Sequence, residues 1–303
     1  MEISDGKTYR AIKFAYKNAE LWDDRYLKFF IRNPDCHFWS LKEKGRTKAL
    51  LIGELKYGKL EVYRFYCPFH NDRQIFKFAI NFFIRDQNVC GITVFQNLRK
   101  YFDLLEKIDF KYDADIEMEL DLHTFKSCQS SLNLEFESLK RRHRRIVHLL
   151  KKLCYTNDFY QRLVCKDCLD EYIKDSIDAI YKDEDSNRFI VKEKNKIIGF
   201  VMWTEKKIPE IIDVMVLPER QNKGYGRTIL DKVLTELKSK GFRKVRLGVF
   251  KSNLSALYLY EKIGFKPIQM IIAMFLYRNL KNSYTADKEN FIIEKDKIHQ
   301  GHS

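Results

Sequence analysis

The stretch LPERQNKGYGRTIL, Leu217–Leu230, contains two of the 12 glycines in this 303-residue chain, Gly224 and Gly226. It lies between a strand-like apolar run and a helical pattern. The first N–H groups of a helix have no intrahelical acceptor and carry partial positive charge. Glycines there let the backbone adopt positive φ and approach a ligand closely. The stretch therefore predicts either a phosphate-binding loop or a tight strand-to-helix turn.

The spacing excludes two widespread phosphate-binding motifs. No Gly-Lys-Ser/Thr sequence follows, so the stretch is not a Walker loop, and it lacks the third glycine of the dinucleotide-binding fingerprint.

The composition describes a basic protein with ample apolar residues for real cores. The chain has 56 Lys and Arg against 42 Asp and Glu, a net charge of +14, and 45% hydrophobic residues. This charge suits an anionic ligand, an acidic substrate or nucleic acid. The length allows one large or two ordinary domains.

Cellular context follows from apolar runs and cysteines. No run approaches the roughly 18 apolar residues of a membrane-spanning helix, so we expect no membrane association. The N-terminus lacks a secretory signal, and seven scattered cysteines favour a reducing, cytoplasmic location. Cys165 and Cys168 form a close pair without a partner cluster, so we expect no metal site.

The densest basic cluster is LKRRHRRIVHLLKK, Leu139–Lys152. It predicts an amphipathic helix with one basic face and an apolar stripe. The stripe consists of Ile146, Leu149, Leu150 and Leu153. The basic face is either a solvated surface or a site for an anionic partner at Lys140–Arg145.

Short sequence matches indicate an internal repeat. EKIDF at Glu106–Phe110 returns as EKIGF at Glu261–Phe265, and LKEKG from Leu41 returns as VKEKN from Val191. The matches keep the same order at similar spacing, as a duplicated domain would.

The periodicity predicts alternating strands and helices in both copies. In the first copy we expect strands at 38–44, 49–56, 60–68, 89–96 and 113–122, and helices at 72–85 and 98–108. In the second we expect strands at 132–139, 188–194, 196–203, 210–217, 244–250 and 267–277, and helices at 140–155, 166–182, 224–240 and 253–263.

The predicted fold class is α/β with a mixed sheet (α+β). Two domains in tandem, 1–130 and 131–280, would each be a central mixed, mostly antiparallel sheet flanked by helices. Residues 281–303 are polar and lack periodicity, so we expect a disordered tail.

Two segments resemble signatures of the GNAT superfamily of acyl-CoA-dependent N-acyltransferases. Gln221, Gly224 and Gly226 match its Gln/Arg-x-x-Gly-x-Gly/Ala motif, which here follows DVMVLP and precedes a long helix. NLSALYLYEKIGF, Asn253–Phe265, resembles the second signature. The resemblance covers roughly Leu132–Arg278 and implies a GNAT domain in this half.

The resemblance implies where acetyl-CoA would bind. Backbone amides at the loop and helix start would hold the pyrophosphate: Gln221, Asn222, Lys223, Gly224, Tyr225, Gly226, Arg227 and Thr228. Strand residues Val214, Met215 and Val216 would pair with the pantetheine arm. They would place the thioester where their strand splays from 244–250. Asn253 would hydrogen-bond the pantetheine region.

The resemblance also implies two catalytic candidates. Tyr260 would give a proton to the departing thiolate; the alternative is an aromatic packing residue. Glu210 would be the general base that neutralises the amine; the alternative is a strand-edge carboxylate. Simple strand alternation places Asp213 on the opposite face from Glu210, as the weaker candidate.

The first copy lacks these features, because its counterpart of the loop, CPFHNDRQIFKF at 67–78, contains no glycine. We therefore expect one active site, in the C-terminal half.

The predicted function is N-acetyl transfer from acetyl-CoA to a primary amine of a small molecule or a protein, by direct attack. One alternative is an acyltransferase with a longer or aminoacyl donor. Another is a non-catalytic GNAT-fold module that binds nucleic acid or protein. The acceptor would contact loops 156–164 and 204–209.

Overall fold

The computed structural model describes residues 1–18, 24–86, 89, 91–128, 132–154 and 169–277. They form two compact units. Within these ranges, the first unit comprises residues 1–113 and 271–277, and the second comprises residues 114–161 and 169–270. The predicted disordered tail and loop 156–164 lie outside the described residues.

The first unit is a six-stranded sheet with four α-helices. Its elements are β1 (Glu2–Asp5), α1 (Tyr9–Asn18), α2 (Asp24–Arg32), β2 (Cys36–Glu43), β3 (Arg46–Lys56), β4 (Lys59–Tyr66), α3 (Asp72–Arg85), β5 (Gly91–Phe95), α4 (Phe102–Glu106) and the end of β12 (Lys266–Tyr277). The strand order is β1-β2-β3-β4-β5-β12, and only β4 and β5 run parallel.

The second unit repeats this arrangement. Its elements are β6 (Lys111–Asp121), β7 (Glu135–Ser138), α5 (Arg144–Cys154), α6 (Leu169–Lys182), β8 (Ser186–Glu193), β9 (Lys196–Thr204), β10 (Glu210–Val216), α7 (Tyr225–Ser239), β11 (Lys244–Phe250) and α8 (Leu254–Ile263). The strand order is β7-β8-β9-β10-β11-β6, and only β10 and β11 run parallel. The predicted fold class, mixed and mostly antiparallel sheets flanked by helices, is confirmed.

The structure divides the chain differently from the predicted boundary near residue 130. β6 pairs antiparallel with β11, from Asp121↔Lys244 to Asp115↔Phe250. β12 pairs antiparallel with β5, from Ala273↔Phe95 to Tyr277↔Gly91. Each sheet therefore takes its last strand from the other half of the sequence. Because β6 and β12 occupy equivalent places in the repeat, their own sequences do not specify which copy they complete.

Helices cover both faces of the second sheet where the candidate site lies. On one face α7 buries an apolar stripe of Ile229, Val233, Leu234 and Leu237. On the other face α5 and α6 bury a second set: Val147, Leu150, Leu153, Ile173, Ile177 and Ile180.

The buried stripe of α5 differs from the predicted stripe and includes a lysine. Val147, Lys151 and Cys154 are buried, whereas Ile146 and Leu149 are only partly buried. Lys151, which was not part of the predicted stripe, thus lies within the buried face of the helix. No helix in the described part of the chain is long and apolar enough to cross a membrane.

Candidate active site

The parallel strands β10 and β11 pair at only two positions, Glu210 with Arg246 and Ile211 with Leu247. Beyond them the register ends, and β10 continues through Val216 beside β9 alone. The edge of β10 that faces β11 is therefore free for main-chain hydrogen bonds to an extended ligand.

A β-bulge lies at the point where the strands part. Ile211 and Asp213 face consecutive residues of β9, Trp203 and Met202, so Ile212 is the extra residue. The bulge reverses the alternation, and Asp213 lies on the same face of the sheet as Glu210. The prediction that Asp213 occupies the opposite face is therefore wrong.

A cavity of about 600 Å³ lies at this opening. This volume is within the usual range for small-molecule and cofactor sites. Its lining, all from the second unit, consists of Cys128, Cys154, Val214, Met215, Val216, Gln221, Asn222, Gly224, Gly226, Arg227, Asn253, Ser255, Ala256, Tyr258, Leu259, Tyr260 and Lys262.

The glycine loop bends through two left-handed residues. Asn222 has φ +58° and Gly224 has φ +87°, a region that favours glycine and tolerates asparagine. The N–H of Thr228 donates to the Gly224 carbonyl at 3.0 Å, so the amides of Tyr225 to Arg227 precede the first intrahelical donor. These amides form the positive end of a 15-residue helix and suit an anion.

The Tyr225 side chain lies away from the cavity and holds the loop in place. It is buried, and its hydroxyl contacts both carboxylate oxygens of Glu193 at 2.8 and 2.9 Å. Arg220 Nη1 donates to the same hydroxyl at 3.0 Å. Burial first, and then the bond to Glu193, raise the pKa of Tyr225.

Two other predicted residues also face elsewhere with their side chains. Lys223 Nζ donates to the Glu219 carbonyl, and Thr228 Oγ1 donates to the Gly224 carbonyl. For Lys223 and Tyr225, only the backbone amides remain candidates for ligand contact, whereas the Thr228 amide also donates to the Gly224 carbonyl.

Two cations flank the helix start. Arg227 lines the cavity, and its Nε donates to both carboxylate oxygens of Asp231 at 3.1 and 3.2 Å. Lys262 lines the same cavity from α8. A fixed guanidinium and an ammonium complement a pyrophosphate.

The second signature segment supplies a helix cap and a tyrosine. Asn253 Oδ1 accepts the Ala256 N–H at 3.4 Å and thereby caps α8, while the residue also lines the cavity. Tyr260 lines the cavity from the same helix. Burial first, and then the negative charge of Asp213, raise the pKa of Tyr260 to about 12.

Glu210 does not reach this cavity. It is exposed at the start of β10, opposite Thr204 and Arg246, and is absent from the lining. The carboxylate nearest the strand opening in sequence is Asp213, which bonds to Lys151 Nζ at 2.7 Å.

The sequence did not single out two cysteines that line the cavity. Cys154 comes from α5, and its thiol donates to the Val216 carbonyl at 3.5 Å. The same carbonyl accepts Gln221 Nε2 at 2.9 Å, which ties the loop to β10. Cys128 follows β6. Both are distant in sequence from the signature segments, so no local pattern marks them.

The first unit lacks a comparable loop. Only three residues lie between Pro68 and the start of α3 at Asp72, against six between Pro218 and Tyr225. The Asp72 carboxylate accepts bonds from Lys100 Nζ at 3.0 Å and Tyr101 hydroxyl at 2.8 Å. Burial raises the pKa of Asp72, but the two hydrogen bonds lower it by more, so its pKa lies below the usual value. An internal carboxylate thus lies at the helix N-terminus.

Aromatic rings stack next to the last paired residues of β4 and β5. These strands pair at four positions, from Lys59↔Gly91 to Val62↔Val94. Next along β4, the Tyr63 ring stacks on Phe95 at 5.8 Å and on Phe30 at 5.5 Å.

Carboxylates neutralise part of the predicted basic cluster. Glu137 pairs with Lys140 and Arg142, and Arg144 pairs with Asp178. Lys192, followed by Arg142, lowers the pKa of Glu137 to about 2. The cluster therefore presents less free charge than its sequence suggests.

Comparisons with known proteins match the part of the chain that contains most of the cavity-lining residues. The model described as Acetyltransferase (GNAT) family matches residues 154–265. The chain is 39% identical over 79 residues to the ribosomal protein bS18-alanine N-acetyltransferase of Haemophilus influenzae, and 38% identical over 80 residues to a mycothiol acetyltransferase of Streptosporangium roseum.

These curated matches are partial. They cover 26% and 23% of this chain, and 53% and 23% of the respective relatives. The chain thus spans about half the length of the first relative. Among solved structures, a GCN5-related N-acetyltransferase from Sphaerobacter thermophilus is similar with a TM-score of 0.57 and 13% identity, over 91% of this chain and 95% of that one. That likeness shows the fold.

Proposed function

Because residues 154–265 form a GNAT-family acetyltransferase domain, we propose that the second unit transfers an acetyl group from acetyl-CoA to a primary amine. One observation carries this proposal. A single cavity joins an open strand edge, a helix N-terminus with a left-handed glycine, and the hydroxyl-bearing Tyr260.

The described residues fit acetyl-CoA as a substrate. The amides of residues 222–227 at the start of α7 would bind the pyrophosphate, with Arg227 and Lys262 supplying positive charge. Val214–Val216 would pair with the pantetheine arm through the free edge of β10, and Asn253 would lie beside it. The thioester would then lie at the strand opening, near Tyr260.

Tyr260 would act as the proton donor to the departing thiolate. Its pKa of about 12 keeps the hydroxyl protonated at neutral pH. A thiol leaves more readily than a thiolate, and a positioned acid contributes about 10²- to 10⁴-fold. We do not assign the proton acceptor to Glu210, because this carboxylate is exposed and outside the cavity.

The acceptor class is a primary amine. One curated relative is named for acting on an alanine of a ribosomal protein. An amine panel for this chain should therefore include a peptide with N-terminal alanine, a peptide whose only amine is a lysine, an amino sugar and a polyamine.

The test is free-thiol release from acetyl-CoA with each amine, for the full chain and two variants. We expect turnover with at least one amine, a large loss in Tyr260→Phe and little change in Glu210→Gln. Tyr181→Phe is the control. Tyr181 lies on α6 and is not part of the cavity lining, and its hydroxyl donates to the Lys140 carbonyl. Absence of both acetyl-CoA binding and thiol release would refute the proposal.

A further inference from the structure

An ion pair between a buried lysine and a partly buried aspartate lies next to the candidate active site, and the signature segments do not contain its cation. Lys151 Nζ is 2.7 Å from Asp213 Oδ2, and the Lys151 side chain is only 2% exposed. Burying two charges costs free energy, and well-packed apolar residues in their place are often neutral or stabilising. Stability alone therefore gives little reason for a lysine in the apolar stripe of α5.

The pair lies at the strand opening. The bulge at Ile212 turns Asp213 toward the face that α5 covers, just where β10 leaves β11. The next residues, Val214 and Met215, line the cavity. One turn after Lys151, Cys154 lines the same cavity.

Electrostatics place the Asp213 charge near the reacting end of the cavity. Its negative charge contributes, after burial, to the raised pKa of both Tyr260 and Cys154. Lys151 holds one carboxylate oxygen, Oδ2. Within the described ranges, no side chain or amide donates to the other oxygen, Oδ1, and the Asp213 side chain keeps 14% exposure, although Asp213 itself is not part of the cavity lining.

We propose that Asp213 orients the acceptor amine through Oδ1, and that Lys151 is a positioning residue that holds this carboxylate at the strand opening. The inference rests on the proposed acetyl transfer. It assigns the recognition of the amine nitrogen to a pair formed by a bulge residue of β10 and a buried residue of α5. Acceptors that enter as a cation gain most from such a carboxylate.

The chain offers a matched control pair in the first unit. Lys59 is buried with a side-chain exposure of 8%, and its Nζ lies 2.9 Å from Glu61 Oε1. Lys59 and Glu61 belong to β4, the counterpart of β10 in strand order. Removal of this pair changes buried charge without touching the cavity.

The test compares three site variants with the control in the full chain: Asp213→Asn, Lys151→Met, their combination, and the combined Lys59→Met and Glu61→Gln. Each is measured for melting temperature, acetyl-CoA affinity by calorimetry, and kcat and KM for the best amine of the panel. Lys151→Met alone leaves Asp213 buried without its partner and should lower the melting temperature. The combined site variant removes both charges and should recover most of that loss.

The combined site variant separates a structural from a functional role. We expect kcat/KM for the amine to stay lower by about 10- to 100-fold, the effect of losing a hydrogen bond to a charged group. Acetyl-CoA affinity should stay close to that of the unsubstituted chain, and the control should keep full kcat/KM.

Two outcomes overturn the inference, and they are distinguishable. Recovery of kcat/KM together with stability in the combined site variant shows that the pair is merely structural and refutes the inference alone. Failure of the unsubstituted chain to bind acetyl-CoA or release thiol refutes the proposed function, and the inference with it.

Discussion

Substitution of Gly224 by alanine tests whether the left-handed turn serves a ligand or only the fold. Gly224 has φ +87° at the start of α7, and Gly241 has φ +85° just after its end. An added Cβ would be 4.0 Å from Leu132 at Gly224 and would have no neighbour within 4 Å at Gly241. The two positions therefore differ little in backbone strain or in crowding, and Gly241→Ala is a matched control.

The magnitudes follow from these geometries. A non-glycine residue in the left-handed region costs about 1–2 kcal/mol, so both variants should lose about the same stability. A loss of 1 kcal/mol lowers the melting temperature of a unit this size by about 2–4 °C. Only Gly224 lines the cavity. Alanine keeps the backbone N–H, but strain that displaces one loop amide from a phosphate costs about 1.5–3 kcal/mol and weakens acetyl-CoA binding by about 10- to 100-fold.

The assay pairs thermal melting with calorimetric titration of acetyl-CoA. We expect equal melting shifts in both variants and weaker binding in Gly224→Ala alone. Affinity unchanged from that of the unsubstituted chain in both variants would show that the turn is a folding device and that the loop does not hold the pyrophosphate. Equal weakening in both would show that the loss comes from general destabilisation.

Three further predictions concern the site. In Tyr260→Phe, turnover should fall about 10²- to 10⁴-fold by a constant factor from pH 7 to 10, because a pKa of about 12 keeps the hydroxyl protonated throughout; a factor that varies with pH would contradict this. Tyr225→Phe should destabilise the chain by about 1.5–3 kcal/mol and weaken acetyl-CoA binding, whereas Tyr101→Phe, which loses a similar bond in the first unit, should lower stability alone. At pH 8, iodoacetamide should modify exposed Cys128 but not Cys154, because burial, followed by the Asp213 charge, raises the Cys154 pKa to about 12; mass spectrometry of alkylated peptides gives the answer.

Many elements of the fold could be predicted from local pattern. Strand 244–250 and helix 72–85 coincide with β11 and α3. Helix 98–108 was predicted too long, because Leu98 has non-helical backbone angles within a 3-10 segment and α4 covers only Phe102–Glu106. Nothing was assigned before residue 38, where the structure has β1, α1, α2 and the start of β2.

The candidate site divides in the same way. The roles of Gly224 and Gly226 in the loop, and of Asn253 as a helix cap, could be predicted from rules that act within a few residues. Nine of the twelve predicted cofactor residues line the cavity: Val214, Met215, Val216, Gln221, Asn222, Gly224, Gly226, Arg227 and Asn253. The face of Asp213 relative to Glu210 was misjudged, because strand alternation holds only for a regular strand and the bulge at Ile212 reverses it.

The sequence by itself determined the glycine loop and the helix ends, since each depends on short-range backbone chemistry. The tertiary structure alone decided three features: the strand that completes each sheet, the burial of Lys151 against Asp213, and the contribution of Cys154 to the cavity. These depend on pairing between segments that are distant in the chain, and packing selects such pairs by shape and charge across the whole unit. A local pattern could place Lys151 on a helix, but only the folded sheet supplied its partner.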